Sequence, residues 1–296
     1  MFTMICPVCE KSVNDMQGLA LHFRSGSIHG DGKHASWISA EQIEHGISDS
    51  DLSDVLIRIF RPEESLIRWA RMEFIAKFYA HPHPFMEAMQ KPTVPVLLGY
   101  VIEHRFFLKN WIRTLSMVIH STTSDDAFEY EVENVATEYI GLNGKPSHLE
   151  LLLRMGEALG MSRKRIMEYS PLPETSQAIE VWYGISNRYS WIDTMGAMHV
   201  LELVADRTLV DDGSPIHYFN PEILKGSDYP EAVKNFLMEG YEADVGHAGE
   251  ALKIVQAATM DDLTTRSIML RSMDAFYVYL NARMRRARML EASWGE

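Results

Sequence analysis

The sequence contains little cysteine. Its 296 residues include two cysteines, and both of them, Cys6 and Cys9, lie within the first ten positions. A scaffold held together by disulfides needs more cysteines than this. The chain after Cys9 therefore has no cysteine that could act as a nucleophile or form a disulfide.

Long hydrophobic runs are absent as well. No stretch of about 18 or more apolar residues occurs, so we expect no membrane-spanning helix. The N-terminal sequence MFTMICPVCEK has no basic segment followed by an apolar one, so we expect no secretory signal. Both observations favour a cytoplasmic protein.

Positive charge is scarce. The chain has 41 acidic and 28 basic residues, and its formal net charge is -13. An acidic surface repels phosphate backbones, which argues against nucleic acid as a partner. One basic run occurs near the C-terminus, and we interpret it as a helix end whose arginines pair with acidic neighbours. It consists of Arg283, Arg285, Arg286 and Arg288.

The N-terminal segment contains the donors that zinc prefers. Cys6 and Cys9 form a CxxC pair, twelve residues separate Cys9 from His22, and six more separate His22 from His29. Thiolate and imidazole groups bind Zn²⁺ as a tetrahedron. The segment resembles a C2H2 zinc finger with these four residues as ligands. Because the gap between its two histidines is longer than the usual range, His34 is the alternative fourth ligand.

The helix of this finger carries one basic residue, Arg24, before His29. Fingers that read DNA use basic side chains in this region, so a protein or peptide partner fits this finger better than DNA. We predict three regions: a zinc module over 1–35, a connector over 36–64 and a helical domain over 65–296.

Apolar residues in the helical domain recur with the spacing of amphipathic helices, and prolines lie at or between the segment boundaries. The sequence therefore predicts an all-α fold, a bundle of helices. The one long irregular stretch is 209–228. The predicted helices span 65–81, 84–90, 93–121, 125–142, 147–160, 162–168, 174–191, 193–208, 229–257 and 261–290.

Several acidic residues lie in apolar surroundings. Glu202 sits in the segment MGAMHVLELVA, where a carboxylate must be paired, protonated or bound to a cation. His199 lies one turn earlier. Asp244 and His247 are also one turn apart and share a helix face.

A second carboxylate and histidine flank a glycine-rich break. Glu138 precedes this break, and His148 begins the next predicted helix. Carboxylates and imidazoles that project from several helices into a bundle form di-iron carboxylate sites, and these donors suit iron or manganese. Hydrogen-bonded core histidines and surface carboxylates are the alternative interpretation.

The body also resembles a known superfamily. The segments HPFMEAMQ at 83–90 and VIEHRFFLKNW at 101–111 look like the opening helices of the haem-oxygenase-like superfamily. That superfamily includes thiaminase II, pyrroloquinoline-quinone synthase and the haem-oxygenase-like di-iron oxidases. The stretch at 133–161 is similar to the di-iron branch, and the resemblance covers roughly residues 65–257.

The resemblance implies five iron ligands, in chain order Glu138, His148, Glu202, Asp244 and His247. In that branch the last ligand helix carries His-x3-Asp-x2-His, and its first histidine falls on a glycine here, Gly240. Three residues are the alternatives for the missing ligand: Glu239, Glu242 and His199.

The implied function is an O2-dependent oxidase or oxygenase in a biosynthetic pathway. We expect zinc in the finger and two irons per chain in the helical domain. The alternative is that one of the two irons is only weakly bound. The enzyme's substrate is a small carboxylate or amino-acid derivative, and the reaction is N-oxygenation or oxidative C–C cleavage. Arg105 and Arg188 are candidates for holding the substrate carboxylate. Thiaminase II chemistry needs a cysteine nucleophile, which this domain lacks.

A second hypothesis is a non-catalytic helical binding module with a degenerate metal site, whose finger docks a protein or peptide. The oligomeric state stays open, because apolar residues of the C-terminal segment 264–290 suit either the core or a homodimer interface.

Overall fold

The computed structural model describes residues 4–6, 8–28, 31, 34, 61, 64–142, 144–218, 220–226 and 228–294. Within its helices, the side chains of residues 24, 26–28, 242–248 and 294 lie outside that description. Most of the predicted connector also lies outside it, so the three predicted regions stay a prediction.

The N-terminal module consists of a short hairpin and one helix. Strand β1 (Met4–Ile5) pairs antiparallel with β2 (Ser12–Val13), and helix α1 (Met16–Ile28) follows. Leu19 and Phe23 of α1 are fully buried, and Met4 of β1 is nearly so. This small apolar core joins the core of the helical body.

The described body is helical, as the sequence predicts, and all-α is confirmed as the fold class. The first helices are α2 (Leu66–Phe78), α3 (Pro84–Ala88), α4 (Val94–Ser121), α5 (Asp125–Tyr139), α6 (His148–Ala158) and α7 (Arg163–Glu168). The later ones are α8 (Pro173–Arg188), α9 (Trp191–His199), α10 (Pro221–Lys225), α11 (Glu231–Ala258) and α12 (Asp262–Trp294).

Local chemistry explains where these helices begin. A serine at the N-cap accepts a hydrogen bond from a backbone N–H of the first turn, which satisfies a group that the helix leaves unpaired. Proline in the first turn begins α3, α4, α8 and α10, where its missing N–H costs nothing. The capping serines are Ser65, Ser124, Ser147, Ser162 and Ser190.

One predicted helix is shorter than the sequence suggests. The prediction was a single helix over 193–208, but α9 ends at His199 and continues as 3₁₀ turns over Val200–Val204 and Arg207–Val210. A 3₁₀ helix has three residues per turn, so residues three apart lie above one another. This alignment lets the His199 ring reach the carboxylate of Glu202, with Nδ1 and Oε2 2.8 Å apart.

The predicted irregular stretch 209–228 is mostly irregular in the structure. It contains the last two residues of the second 3₁₀ turn and the short helix α10. Asn220 caps the start of α10, where its side chain accepts a hydrogen bond from the Glu222 amide. This helix has five residues, which is too few for its apolar positions to show a helical period in the sequence.

Helices α4 and α12 pack closely against each other in the core. A Cβ built on Gly99 of α4 would lie 2.6 Å from the carbonyl oxygen of Arg283 and 3.0 Å from the amide nitrogen of Ala287. Glycine is therefore required for the two backbones to approach this closely. No helix among the described residues is long and apolar enough to cross a membrane.

Candidate functional site

A partly open cavity of about 100 Å³ lies between α4, the end of α5, the start of α6, the 3₁₀ turn Val200–Val204, α11 and α12. Helix α4 supplies an aromatic wall that includes Tyr100, Phe107 and Trp111. The opposite elements contribute polar groups, which gives the mixed lining that is typical of ligand sites. Of the predicted iron ligands, Glu138, His148 and Glu202 line this cavity together.

Glu138 and His148 form a close pair. Glu138 Oε1 and His148 Nδ1 are 2.7 Å apart, and both side chains are largely buried. The intervening loop turns at Gly141, which has a φ of +88° and lies so close to Lys145 that a Cβ would be 2.3 Å from its carbonyl oxygen. Only glycine fits there, so the glycine-rich break brings the end of α5 to the start of α6.

Glu202 belongs to a buried network around His199. His199 Nδ1 lies 2.8 Å from Glu202 Oε2, and its Nε2 lies 2.8 Å from Glu131 Oε1. Burial alone would lower the pKa of His199, but the two carboxylates outweigh it and raise the pKa to about 10. His199 is therefore an imidazolium at neutral pH. Both of its ring nitrogens contact carboxylates in this structure, and the prediction of His199 as an alternative metal ligand stays a prediction.

Glu131 is a site residue that the sequence analysis missed. It is fully buried on α5, and burial raises its pKa although His199 opposes this shift. A signal was available, because Glu131 precedes Glu138 by two helical turns and shares its face of the helix.

Helix α11 contributes the last part of the predicted site. Glu239 and Gly240 line the cavity, and Glu239 Oε1 lies 3.8 Å from the exposed Lys145 ammonium. Asp244 and His247 lie further along the same continuous helix, as does Glu242. The side chains of these three residues lie outside the described part of the chain.

Arg283 is a second site residue that the sequence analysis missed. It lines the cavity and is 2% exposed. Its Nη1 donates to Tyr218 Oη at 2.7 Å, and its Nη2 donates to Tyr279 Oη at 2.6 Å and to His104 Nδ1 at 2.8 Å. Burial and the neighbouring arginine lower the pKa of His104, which is therefore a neutral acceptor.

Among the described residues, no carboxylate pairs with Arg283. Its neighbours in the basic run do pair with acids, as predicted: Arg285 with Glu174 at 2.7 Å and Arg286 with Glu103 at 2.7 Å. Arg283 differs because it continues the apolar stripe of α12. That stripe is Met269, Met273, Phe276 and Leu280.

The two arginines predicted to hold a substrate carboxylate lie elsewhere. Arg105 donates to the carbonyl oxygen of Tyr169 and packs over the Phe106 ring. Arg188 pairs with Glu10 at the surface. Both side chains bind other parts of the protein, and neither lines the cavity.

A second group of metal-ligand donors lies in the N-terminal module. One donor atom from each of four residues lies within 4.8 Å of the other three: Cys6, Cys9, His22 and His34. The structure thus gathers the alternative fourth ligand, His34, with the three predicted ones. His29 lies outside the described residues. Burial raises the pKa of the Cys6 thiol to about 12, so its thiolate requires a nearby cation.

Sequence comparison identifies the body of the chain. Residues 69–287 match the sequence model of the TENA/THI-4/PQQC family. No curated protein matches the chain at a significant level.

Solved structures share the fold. A domain of unknown function with a heme oxygenase-like fold from Shewanella denitrificans OS217 is 15% identical, with a TM-score of 0.59 over 76% of this chain and 93% of that one. A TenA homologue from P. horikoshii OT3 is 13% identical, with a TM-score of 0.58 over 76% and 99%. A CADD-like protein of unknown function from Nostoc punctiforme PCC 73102 is 15% identical, with a TM-score of 0.56 over 76% and 96%. The haem-oxygenase-like fold that the resemblance implies is thereby confirmed.

Proposed function

Because the chain belongs to the TENA/THI-4/PQQC family, we propose that its cavity is the active site of a non-haem di-iron oxidase or oxygenase that uses O2. The observation that carries this proposal is that Glu138, His148 and Glu202 all line one cavity. These groups come from three different elements, which is how helical bundles build carboxylate-bridged iron sites.

The donors fit a cation. Glu138 Oε2 is buried and has no hydrogen-bond partner among the described residues. A buried carboxylate oxygen without a partner is costly unless a proton or a metal satisfies it. Carboxylate oxygens and imidazole nitrogens, without thiolates, suit iron or manganese better than they suit the softest metals.

The remaining ligands come from α11. Asp244 and His247 follow Gly240 by four and seven positions in a continuous helix, a spacing that returns to the same face. Gly240 itself lines the cavity, as does Glu239. We assign the five predicted ligands to iron, with Glu239 in place of the histidine that is absent at position 240.

Bound ferrous iron would supply the electrons that reduce O2, and the chain would supply the surroundings. His199 holds Glu202 and Glu131 in fixed orientations through its two ring nitrogens. The aromatic side chains of α4 give the cavity an apolar wall. These contacts fix the ligand geometry before substrate arrives.

The substrate class follows from Arg283. A buried guanidinium without a carboxylate partner among the described residues favours an anion beside it. Arg283 donates three hydrogen bonds, to Tyr218, Tyr279 and His104. Its Nε hydrogen and one Nη1 hydrogen have no acceptor among the described residues, so they can donate to a ligand. We therefore propose a small carboxylate, such as an amino-acid derivative, as the substrate.

The first experiment measures iron. Anaerobic loading with ferrous iron should give about two irons per chain, and each of the variants Glu202→Ala and His247→Ala should lower that number. Glu180→Ala is the matched control, because Glu180 is an exposed acid on α8 away from the cavity. Iron content that neither cavity variant lowers would contradict the di-iron proposal.

The second experiment separates catalysis from binding. Loaded protein should consume O2 faster when a panel of amino acids and other small carboxylates is supplied. The Glu138–His148 ion pair and the glycine at position 240 favour one alternative, a binding module with a degenerate metal site. That alternative predicts a carboxylate that binds without iron and without any stimulation of O2 uptake.

A further inference from the structure

We propose that the N-terminal module binds one structural Zn²⁺ and that the loaded module is fastened to helix α12 through Glu10. The zinc ligands are Cys6, Cys9, His22 and His34. This site is separate from the cavity and does not depend on the function proposed for it.

The donor atoms form a compact cluster. Cys9 Sγ lies 3.1 Å from His22 Nε2, His22 Nε2 lies 3.1 Å from His34 Nε2, and Cys6 Sγ lies 3.4 Å from His34 Nε2. With Zn–S near 2.3 Å and Zn–N near 2.0–2.1 Å, the edges of a tetrahedron are about 3.3–3.8 Å long. These three separations are within about half an ångström of the edges, and the remaining pairs of donor atoms lie within 4.8 Å, so the cluster must contract somewhat to hold a zinc ion.

The backbone presents the two sulfurs from one tight turn. The Cys6 amide donates to the Lys11 carbonyl, and the Glu10 amide donates to the Cys6 carbonyl. Glu10 has a φ of +65°, which closes the turn directly after Cys9. His22 comes from α1, whose first turn follows β2.

Asp31 supplies the outer contact that metal-binding histidines use. Its Oδ2 lies 2.8 Å from His34 Nδ1, and His34 is 2% exposed. The carboxylate accepts the Nδ1 proton, which leaves the Nε2 lone pair directed at the cluster. An incidental surface histidine would have no reason to be held in this tautomer.

Glu10 connects the module to the body. Its Oε1 accepts from Arg271 of α12 at 2.6 Å, and its Oε2 accepts from Arg188 at the end of α8. Because Glu10 directly follows Cys9, a metal that fixes the turn also fixes this carboxylate. Zinc binding and docking on α12 are therefore coupled.

The test of the ligand set compares two histidines. The purified full-length protein should contain one zinc per chain by elemental analysis, and Co²⁺ in its place should give the visible spectrum of a tetrahedral thiolate site. His34→Ala should weaken zinc binding at least 100-fold, whereas His29→Ala should retain the metal. Asp31→Asn should weaken binding about 10- to 100-fold.

Three results would overturn the ligand assignment. The first is loss of zinc in His29→Ala with retention in His34→Ala. The second is a wild-type protein that takes up neither zinc nor cobalt. The third is equal rates of disulfide formation between Cys6 and Cys9 in the zinc-loaded and the metal-free protein.

The test of docking uses Glu10→Gln. This variant should keep its zinc but exchange the backbone amides of residues 4–28 at least 5-fold faster. Glu174→Gln is the matched control. Glu174 is as exposed as Glu10 and also pairs with an arginine of α12, but this arginine, Arg285, lies fourteen residues after Arg271. Unchanged exchange in Glu10→Gln would refute the docking role and leave the zinc site intact.

Discussion

At the scale of single residues, the histidine His83 is a clear case of a side chain whose charge state is fixed by its contacts. Its Nδ1 accepts from the Phe85 amide and caps α3, and its Nε2 lies 3.1 Å from Asn281 Oδ1. The first contact requires a neutral ring, because Nδ1 accepts there, whereas the second is a donation from Nε2–H to the amide oxygen and is also compatible with a protonated ring. Burial is the main cause that lowers the pKa of His83 to about 4.

This pKa predicts a dependence of stability on pH. Between pH 6.5 and about 4 the unfolded chain binds a proton on His83 and the folded chain does not, so the free energy of unfolding falls as the pH falls. The contribution is about 1–3 kcal/mol. His83→Asn keeps a capping oxygen and should flatten this part of the curve in denaturant titrations. His120→Asn, an exposed site, should leave the slope unchanged.

Arg283 leads to a prediction about substrate. Arg283→Gln should raise KM for a carboxylate substrate by about 100-fold, because a charge-assisted hydrogen bond contributes about 1.5–3 kcal/mol. Iron content should stay at the wild-type value. Arg285→Gln removes the same charge from an exposed position and should leave KM unchanged in steady-state O2 uptake. An equal KM for both variants would contradict the assignment of Arg283.

The residues show how far sequence reasoning reaches. Periodicity identified Glu202 as a carboxylate in apolar surroundings, the glycine-rich break drew attention to Glu138 and His148, and the resemblance implied that all three are iron ligands. Glu131 was missed because α5 carries many acids, and the spacing of two turns singles out Glu131 only when Glu138 is already taken as the reference position. Arg283 was missed because charge runs usually lie in solvent, whereas this one continues an apolar stripe.

At the scale of elements, two glycines with opposite surroundings give a matched test. Gly99→Ala should destabilise the protein by about 1–3 kcal/mol or more, because the new Cβ would meet the backbone of α12. Gly184→Ala on α8 has no neighbour within 4 Å and should stabilise it by about 0.5–1 kcal/mol. Both changes can be measured by thermal denaturation. A stabilising Gly99→Ala would mean that α4 and α12 pack less closely than described.

Element boundaries were predictable where caps and prolines mark them. The start of α8 at Pro173 and the end of α4 at Ser121 follow from local chemistry. The end of α9 was not predictable in this way, and the last residue of this helix, His199, contacts a partner that is distant in sequence, Glu131 of α5. Local periodicity contains no information about such a partner.

At the scale of the whole molecule, the two proposed metal sites should act independently. Arg271, beside the N-terminal module, and Arg283, at the cavity, are twelve residues or about 18 Å apart along α12. The losses of stability in His34→Ala and Glu202→Ala should therefore add to within about 0.5 kcal/mol in the double variant. Thermal melts of metal-loaded protein measure this sum, and a clearly smaller combined loss would show that the sites are coupled.

The fold class was predictable at this scale because helical periodicity runs through most of the chain. The meeting of Glu138, His148 and Glu202 at one cavity was one of two interpretations of the residue pattern, and the resemblance favoured it. Helix spacing orients a residue within its own element, but it does not say which elements become neighbours.

The position of α12 has a consequence for the order of folding. This last helix packs against α2, α3, α4, α8 and α9, and it also contacts β1 at the start of the chain. During synthesis the N-terminal module leaves the ribosome long before its partner Arg271 does. The module and α12 therefore reach their native contacts together, and a product truncated before α12 would leave the faces of α4 and α8 exposed to aggregation.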